Sequence, residues 1–147
     1  MKSSKDWALI AVEAAADKKA EDIIGLDVAE LLVVTDYFVI ATGRTNIQVR
    51  AIADAVEEQL RERGGIKPIG IEGADEAKWI LLDYGDLVIH VFQPAERAFY
   101  RLERLWGDAP RLALPKGIVA GSADTAHAAP AEPNRGIESA DEALAGA

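Results

Sequence analysis

Few side chains in this sequence could carry out acid–base, nucleophilic or metal chemistry. It has no cysteine, and its two histidines are His90, inside an apolar run, and His127. His90 shares a predicted strand face with Val88 and Phe92, which is typical of a hydrogen-bonded structural histidine. Two histidines without a cysteine are too few to build a zinc site. We therefore predict no catalytic residue, no metal and no cofactor.

Two short patterns could hold a ligand, but each has a simpler explanation. Asp83 and Asp86 flank a turn and could hold a hard cation, although aspartate in a turn normally accepts hydrogen bonds from the backbone. Gly43-Arg44-Thr45 precedes a predicted helix, where free amides attract phosphate. This turn lacks the glycine and lysine spacing of a phosphate-binding loop, and such a sequence before a helix is more often a cap.

Aromatic and acidic residues gather around one predicted hairpin, WILLDYGDLVIHVF (79–92). Aromatic anchors surrounded by charge are a common composition of protein interfaces. Trp79 lies at the start of the hairpin and Tyr84 at its tip, and the neighbouring carboxylates belong to Glu72, Asp75, Glu76, Asp83 and Asp86. The sequence therefore predicts a recognition surface, with a plain core tryptophan as the alternative for Trp79.

The overall charge is strongly acidic. Sixteen basic residues face 25 acidic ones, giving a formal net charge of −9. Neutralising phosphates requires a basic stripe, and none is present, so we do not expect general nucleic-acid binding. An acidic domain suits a basic partner, although the charge could equally serve solubility.

Hydrophobic periodicity predicts the elements that would position these residues. The hairpin strands cover 79–82 and 87–92, with Gly85 supplying the positive φ of the turn. Thr45 and Gln48 are spaced as a capping box, and Ser3 or Ser4 can cap the first helix. We predict helices from Ser4, over about 47–63 and over about 95–106, and further strands over 22–28, over 33–42 with an interruption near Asp36, and over 67–72.

The composition changes beyond Gly107. Of the 40 residues from Asp108 onward, 12 are alanine and none is aromatic. So little large apolar surface cannot offset the entropy of ordering a packed segment. We predict a folded domain over 1–107 and a disordered, Ala/Pro-rich acidic tail over 108–147, in which Leu112, Leu114 and Ile118 could dock locally. With no membrane-spanning run and no leader pattern, we expect a cytoplasmic protein.

The combined motifs resemble the ribosomal silencing factor family, also called the RsfS or Iojap family. The order and spacing match over about residues 4–108, and the combination is specific although each piece alone is not. The motifs are DYFVIATG (36–43), a Gln-bearing helix start with IA (52–53), IEG (71–73), the hairpin itself, and RAFYRLERLW (97–106).

This resemblance implies a compact α/β domain with a mixed sheet of about five strands, helices packed on it and a nucleotidyltransferase-like outline. It implies a factor that binds the large ribosomal subunit at ribosomal protein L-fourteen and sterically blocks association with the small subunit. Translation would thereby be repressed under nutrient limitation, without catalysis, and a role in large-subunit maturation is also implied. The free protein would be a homodimer.

The predicted contact residues follow from joining the two arguments. We expect Trp79 to be the anchor, Tyr84 the second aromatic residue, and Glu72, Asp83 and Asp86 the acceptors for lysine or arginine of the ribosomal protein. The alternative is a nucleotide-binding enzyme related to nucleotidyltransferases. Metal-dependent transfer would want carboxylates soon after the Gly43 turn, and none occurs before Asp54.

Overall fold

The strand Leu87–Phe92 lies at the centre of the structure. All six of its residues are buried. An uninterrupted apolar strand needs other elements on both of its faces and both of its edges, because neither its side chains nor its peptide groups can be left bare. The rest of the chain supplies that cover.

A computed structural model describes residues 2–118. The helices are α1 (Ser4–Asp17), α2 (Asn46–Glu62), α3 (Pro94–Tyr100) and α4 (Leu102–Leu105), and the strands are β1 (Glu21–Asp27), β2 (Tyr37–Thr42), β3 (Gly70–Glu72), β4 (Trp79–Asp83) and β5 (Leu87–Phe92). These elements confirm a single α/β domain. The nucleotidyltransferase-like outline stays a prediction.

The five strands form one mixed sheet in the order β1-β2-β5-β4-β3. The predicted hairpin is confirmed, since β4 and β5 pair antiparallel with Trp79 opposite Phe92 and Asp83 opposite Val88. Gly85 has the expected positive φ, 84°. Only the β2–β5 pair is parallel. The short strand β3 forms one edge of the sheet and begins at Gly70, three residues later than predicted.

Each face of the sheet packs against different elements. Side chains of α1 and α2 cover the face that carries Val39, Leu82 and Ile89. The opposite face carries Phe38, Leu81, Val88, His90 and Phe92, and is covered by Leu102, Ala109 and the rings of Trp79, Tyr100 and Trp106. Alternate residues of β5 thus enter two separate cores.

Both long helices begin at the predicted caps. The Asp6 amide donates to Ser3 Oγ at 3.2 Å, and the Ser3 amide donates to the Asp6 carboxylate at 2.9 Å, which completes a capping box. The Gln48 amide donates to Thr45 Oγ1 at 3.1 Å, but the Gln48 side chain accepts from the Arg44 amide instead of the Thr45 amide. The second box is therefore only half formed.

The predicted strand over 33–42 begins too early, because pairing starts at Tyr37. The Leu31 and Leu32 amides both donate to the Val28 carbonyl, at 2.9 and 2.8 Å, which folds the preceding residues into a turn. Val33 is fully exposed. The turn therefore replaces the first residues of the predicted strand, although their β-branched side chains favour an extended backbone.

The predicted helix over 95–106 is broken at Arg101. This residue has a left-handed backbone, with φ 53°, and separates α3 from α4. The break turns Leu102 inward and leaves Phe99 and Leu105 exposed. An unbroken helix would have placed these three residues on one face, and the break separates them.

Part of the segment 108–118 runs alongside β1 and is hydrogen-bonded to it. The Asp27 amide donates to the Pro110 carbonyl at 2.8 Å, and the Leu112 amide donates to the Gly25 carbonyl at 2.9 Å. Leu112, Leu114 and Ile118 pack against the core beside α1, so the local docking is confirmed. The remainder of the predicted disordered tail, residues 119–147, lies outside the described residues.

Gly25 is the residue that lets Leu112 approach β1, because a Cβ at this position would lie 2.8 Å from Leu112 Cδ1 and 3.1 Å from its Cβ. We expect Gly25→Ala to lower the free energy of unfolding by about 1–2 kcal/mol through this overlap. Urea unfolding measures the loss. The matched control is Gly70→Ala in β3, where a Cβ meets nothing within 4 Å.

In a Leu112→Ala background the penalty of Gly25→Ala should be smaller, since the 2.8 Å overlap with Cδ1 is removed and only the 3.1 Å approach to the Cβ of residue 112 remains. Equal penalties in the two backgrounds would show that this contact does not set the position of the segment.

Candidate interaction surface

The structure separates the five predicted contact residues into two groups. Trp79 begins β4, whereas Asp86 lies in the turn at the far end of the same hairpin. Four residues of strand place Asp83 about 13 Å from Trp79 along β4. Glu72 is opposite Leu81 and therefore lies diagonally beside Trp79 on the same face of the sheet. Trp79 and Glu72 form one group at the start of β4, and Asp83, Tyr84 and Asp86 form the other at the turn of the hairpin.

Tyr84 and Asp83 are not surface groups. Tyr84 is 7% exposed and packs in the core beneath the helices, and burial, together with Glu57 nearby, raises the pKa of its hydroxyl. Asp83 is 6% exposed. The expectation that Tyr84 is an exposed aromatic residue at the hairpin tip is wrong, because its side chain turns towards α2.

Asp83 accepts a backbone hydrogen bond in the turn, which was the simpler of the two explanations for its position. Its Oδ1 accepts from the Gly85 amide at 2.8 Å, which closes the turn of the hairpin. Asp86 is exposed at the same turn. Within residues 2–118, no three His, Asp or Glu side chains gather into a group that could hold a metal ion.

Trp79 lies among other aromatic rings at the α3 end of the hairpin. Its ring centroid is 4.9 Å from that of Phe92 and 4.7 Å from that of Tyr100. The indole Nε1–H donates to His90 Nδ1 at 3.1 Å. Trp79 is only half-buried, so its ring is fixed in orientation and still accessible. These are the properties of an interface anchor.

His90 holds the indole in place from inside the core. It is fully buried, and burial lowers the pKa of its imidazole to about 3. The ring is therefore neutral at physiological pH, and because Nδ1 accepts from Trp79, Nε2 carries the proton. The Phe38 ring packs edge-on against the imidazole, with 4.9 Å between the two ring centroids. The prediction of a hydrogen-bonded structural histidine is confirmed.

An acidic loop, residues 73–78, joins β3 to β4 next to Trp79. Gly73 has φ 81°, and a Cβ there would lie 1.9 Å from the Trp79 carbonyl oxygen, so only glycine allows this approach. The Gln93 side chain donates to the Ala77 carbonyl at 3.0 Å. Asp75 and Glu76 are exposed. The loop adds two carboxylates to the one that Glu72 supplies.

A buried ion pair, which the sequence analysis did not identify, positions Tyr100. Arg97 donates through Nε to Glu103 Oε1 at 3.2 Å and through Nη1 to Thr42 Oγ1 at 2.8 Å, and all three residues are buried. This contact ties the corner between α3 and α4 to the end of β2. The sequence did not indicate this ion pair, because an unbroken helix would place residues 97 and 103 on different faces.

The Gly43-Arg44-Thr45 turn is occupied by side chains of the protein itself. Gln48 Oε1 accepts from the Arg44 amide at 2.8 Å, and Gln48 Nε2 donates to the Lys18 and Lys19 carbonyls at 3.2 and 3.1 Å. Arg44 pairs with Glu21 at 2.8 Å. The turn therefore joins α2 to the end of α1, and the prediction of a helix cap is confirmed.

With this geometry established, comparison with known proteins decides the family. Residues 1–142 match the family described as "Ribosomal silencing factor during starvation". The chain belongs to the ribosomal silencing factor family. The resemblance found in the sequence motifs is thereby confirmed.

Individual relatives agree with the family assignment. Ribosomal silencing factor RsfS of Bacillus subtilis is 49% identical over 116 residues, which are 79% of this chain and 98% of the relative. Chloroplastic protein Iojap of Zea mays is 37% identical over 111 residues, 74% of this chain and 47% of the relative. A crystal structure of a Chromobacterium violaceum protein matches with a TM-score of 0.69 at 35% identity, covering 85% of this chain and 98% of that one.

Trp79 and Glu72 are the two residues of the predicted contact set that lie at the β3 end of the hairpin. Across residues 2–118, no helix combines the length and apolar character needed to cross a bilayer.

The His90 contact predicts a distinct acid sensitivity. The pKa of about 3 in the folded protein lies below the ordinary histidine value of 6.5. The unfolded chain therefore binds a proton first as pH falls, and this contribution to stability is lost between about pH 6.5 and pH 3. Urea unfolding at several pH values should show His90 adding up to about 1.4 kcal/mol of loss per pH unit within this range.

The matched variant is His90→Asn, which does not titrate and keeps an acceptor near the position of Nδ1. We expect it to be less stable at pH 7, since it leaves space in the core, but to lose stability less steeply in acid. Parallel pH profiles for the two proteins would exclude this role of His90.

Proposed function

We propose that this protein binds the large ribosomal subunit and thereby prevents its association with the small subunit. Membership of the ribosomal silencing factor family carries the proposal. The docking site on the subunit is ribosomal protein L-fourteen, as the sequence resemblance implies. The consequence is repression of translation in the cytoplasm during nutrient limitation, in agreement with the word starvation in the family description.

The Trp79 end of the hairpin is the proposed contact surface. It joins an accessible, rigidly held tryptophan to the carboxylate of Glu72, which no ion pair within residues 2–118 neutralises. A basic protein surface complements this composition: an apolar anchor enters a pocket, and the surrounding charges accept from lysine or arginine.

We propose a smaller contact set than the sequence predicted. Trp79 and Glu72 remain the proposed contact residues, because they are accessible and adjacent. Tyr84 and Asp83 are proposed to support the hairpin from within, since both are buried. Asp86 lies at the other end of the hairpin and is proposed to make no contact with the same partner surface.

A steric mechanism needs no catalysis, and we propose that the protein has none. The nucleotide-binding alternative depended on free amides at the Gly43 turn. Gln48 and Thr45 occupy amides of that turn, which favours a structural cap over a phosphate site.

The homodimer of the free protein stays a prediction from the resemblance. Sedimentation equilibrium of the full chain in the micromolar range tests it directly, and a monomer at all concentrations would contradict it.

Trp79→Ala should weaken co-sedimentation with isolated large subunits at least tenfold, about 1.4 kcal/mol, because the anchor ring is lost. Glu72→Gln should have a smaller effect of about threefold, since rim carboxylates contribute less than buried anchors. Asp86→Asn is the matched control and should bind like the wild type. Far-ultraviolet circular dichroism and a melting curve verify that each variant is folded.

The same sedimentation assay tests the function itself. Adding the wild-type protein to a mixture of large and small subunits should lower the joined fraction, and binding should be confined to large subunits. A wild-type protein that neither binds large subunits nor lowers the joined fraction would refute the proposed function. Unchanged binding of a folded Trp79→Ala variant would refute only the anchor role.

A further inference from the structure

Arg50, on the second turn of α2, reaches across to the acidic loop. Its Nε donates to the Ala74 carbonyl at 3.2 Å, and its Nη2 donates to the carbonyl of Asp75. The two acceptors are consecutive peptide groups about 25 residues away in the sequence. A planar guanidinium that grips two successive carbonyls fixes both the position and the direction of the backbone between them.

The other constraints on this loop act at its ends. Gly73 contacts the Trp79 carbonyl and also accepts from the Ala77 amide at 3.0 Å. The Gln93 amide donates to the Lys78 carbonyl at 2.8 Å. Arg50 supplies the hydrogen bonds at residues 74 and 75, in the middle of the loop.

Arg50 binds the backbone of the acidic loop and leaves its side-chain charges free. Both hydrogen bonds go to peptide carbonyls, although Asp75 and Glu76 carry carboxylates within the same loop. Within residues 2–118, neither carboxylate takes part in an ion pair. Both residues are exposed, and they precede Trp79 by only four and three positions. The arrangement holds the loop still and keeps its negative charge available.

We propose that Asp75 and Glu76 are additional binding residues for the basic partner and that Arg50 is the positioning residue that presents them beside Trp79. This inference rests on the proposed function and adds to it a charged half of the contact surface. Fixing the loop before binding removes the entropy cost of ordering it in the complex. A basic segment then meets Trp79 and three carboxylates already in place.

Because Arg50 is positively charged, its removal distinguishes positioning of the loop from long-range electrostatic attraction to a basic partner. Arg50→Met and Arg61→Met each remove one positive charge from α2, and Arg61 is exposed on the same helix without an ion pair to any described residue. Long-range attraction to a basic partner predicts that both variants bind slightly more tightly. Positioning by Arg50 predicts that only Arg50→Met binds more weakly.

The test measures affinity for isolated large subunits by co-sedimentation of the full chain. We expect Arg50→Met to bind about fivefold to tenfold more weakly, and Asp75→Asn/Glu76→Gln to lose a similar factor. Arg61→Met should bind as tightly as the wild type or slightly more tightly. Arg50→Lys should recover only part of the affinity, since an ammonium cannot grip two carbonyls in one plane.

A double-mutant cycle distinguishes positioning from a general effect on folding. When Arg50→Met is added to Asp75→Asn/Glu76→Gln, it should cause no further loss, because Arg50 acts through those carboxylates. Independent losses that multiply, or an Arg50→Met variant that binds like Arg61→Met, would overturn the inference while the wild-type protein still binds. Failure of the wild type to bind would overturn the proposed function, and with it this inference.

Discussion

The rest of the structure depends on the burial of β5 on both faces and both edges. A strand with six consecutive buried residues must bond its peptide groups to neighbours on either side, here β2 in parallel and β4 antiparallel. Its side chains divide between two cores, so the helices α1 and α2 cover one face and α3 and α4 the other. His90 is part of this strand, and through its bond to Trp79 the central strand of the fold controls a side chain at the surface.

The buried ion pair between Arg97 and Glu103 constrains the corner between α3 and α4. A buried ion pair such as Arg97–Glu103 rarely adds net stability over an apolar contact, because both groups lose their hydration. Its geometry is specific, however, since Arg97 also donates to Thr42 and so fixes one arrangement of α3 against β2. We interpret it as a contact that selects the angle of the α3–α4 corner, and Tyr100 occupies its place beside Trp79 as a result.

Local signals predicted the elements well. The Asp83–Gly85 turn, the Ser3 cap and the apolar run of β5 each depend on residues close in sequence, and each was found where expected. Two of the errors arose where a distant contact decided the outcome. The break at Arg101 follows from burying Glu103 against Arg97, and the burial of Tyr84 follows from the position of α2. For the proposed contact surface, the sequence indicated Trp79 and Glu72, whose binding role stays a prediction, whereas the hydrogen bonds from Arg50 to residues 74 and 75 depend on the tertiary fold.

The bonds around Trp79 also bear on how the protein folds. The side chains that fix its ring, His90, Phe92 and Tyr100, all lie within 22 residues of it in the sequence. Contacts this local close small loops and are the least costly in chain entropy, whereas β2 and β5 join residues 50 apart. The aromatic anchor can therefore assemble together with the hairpin, before the sheet is complete. The segment 79–92 therefore contains the residues that orient the indole, whereas the place of Tyr100 depends as well on the contacts of Arg97 with Glu103 and Thr42.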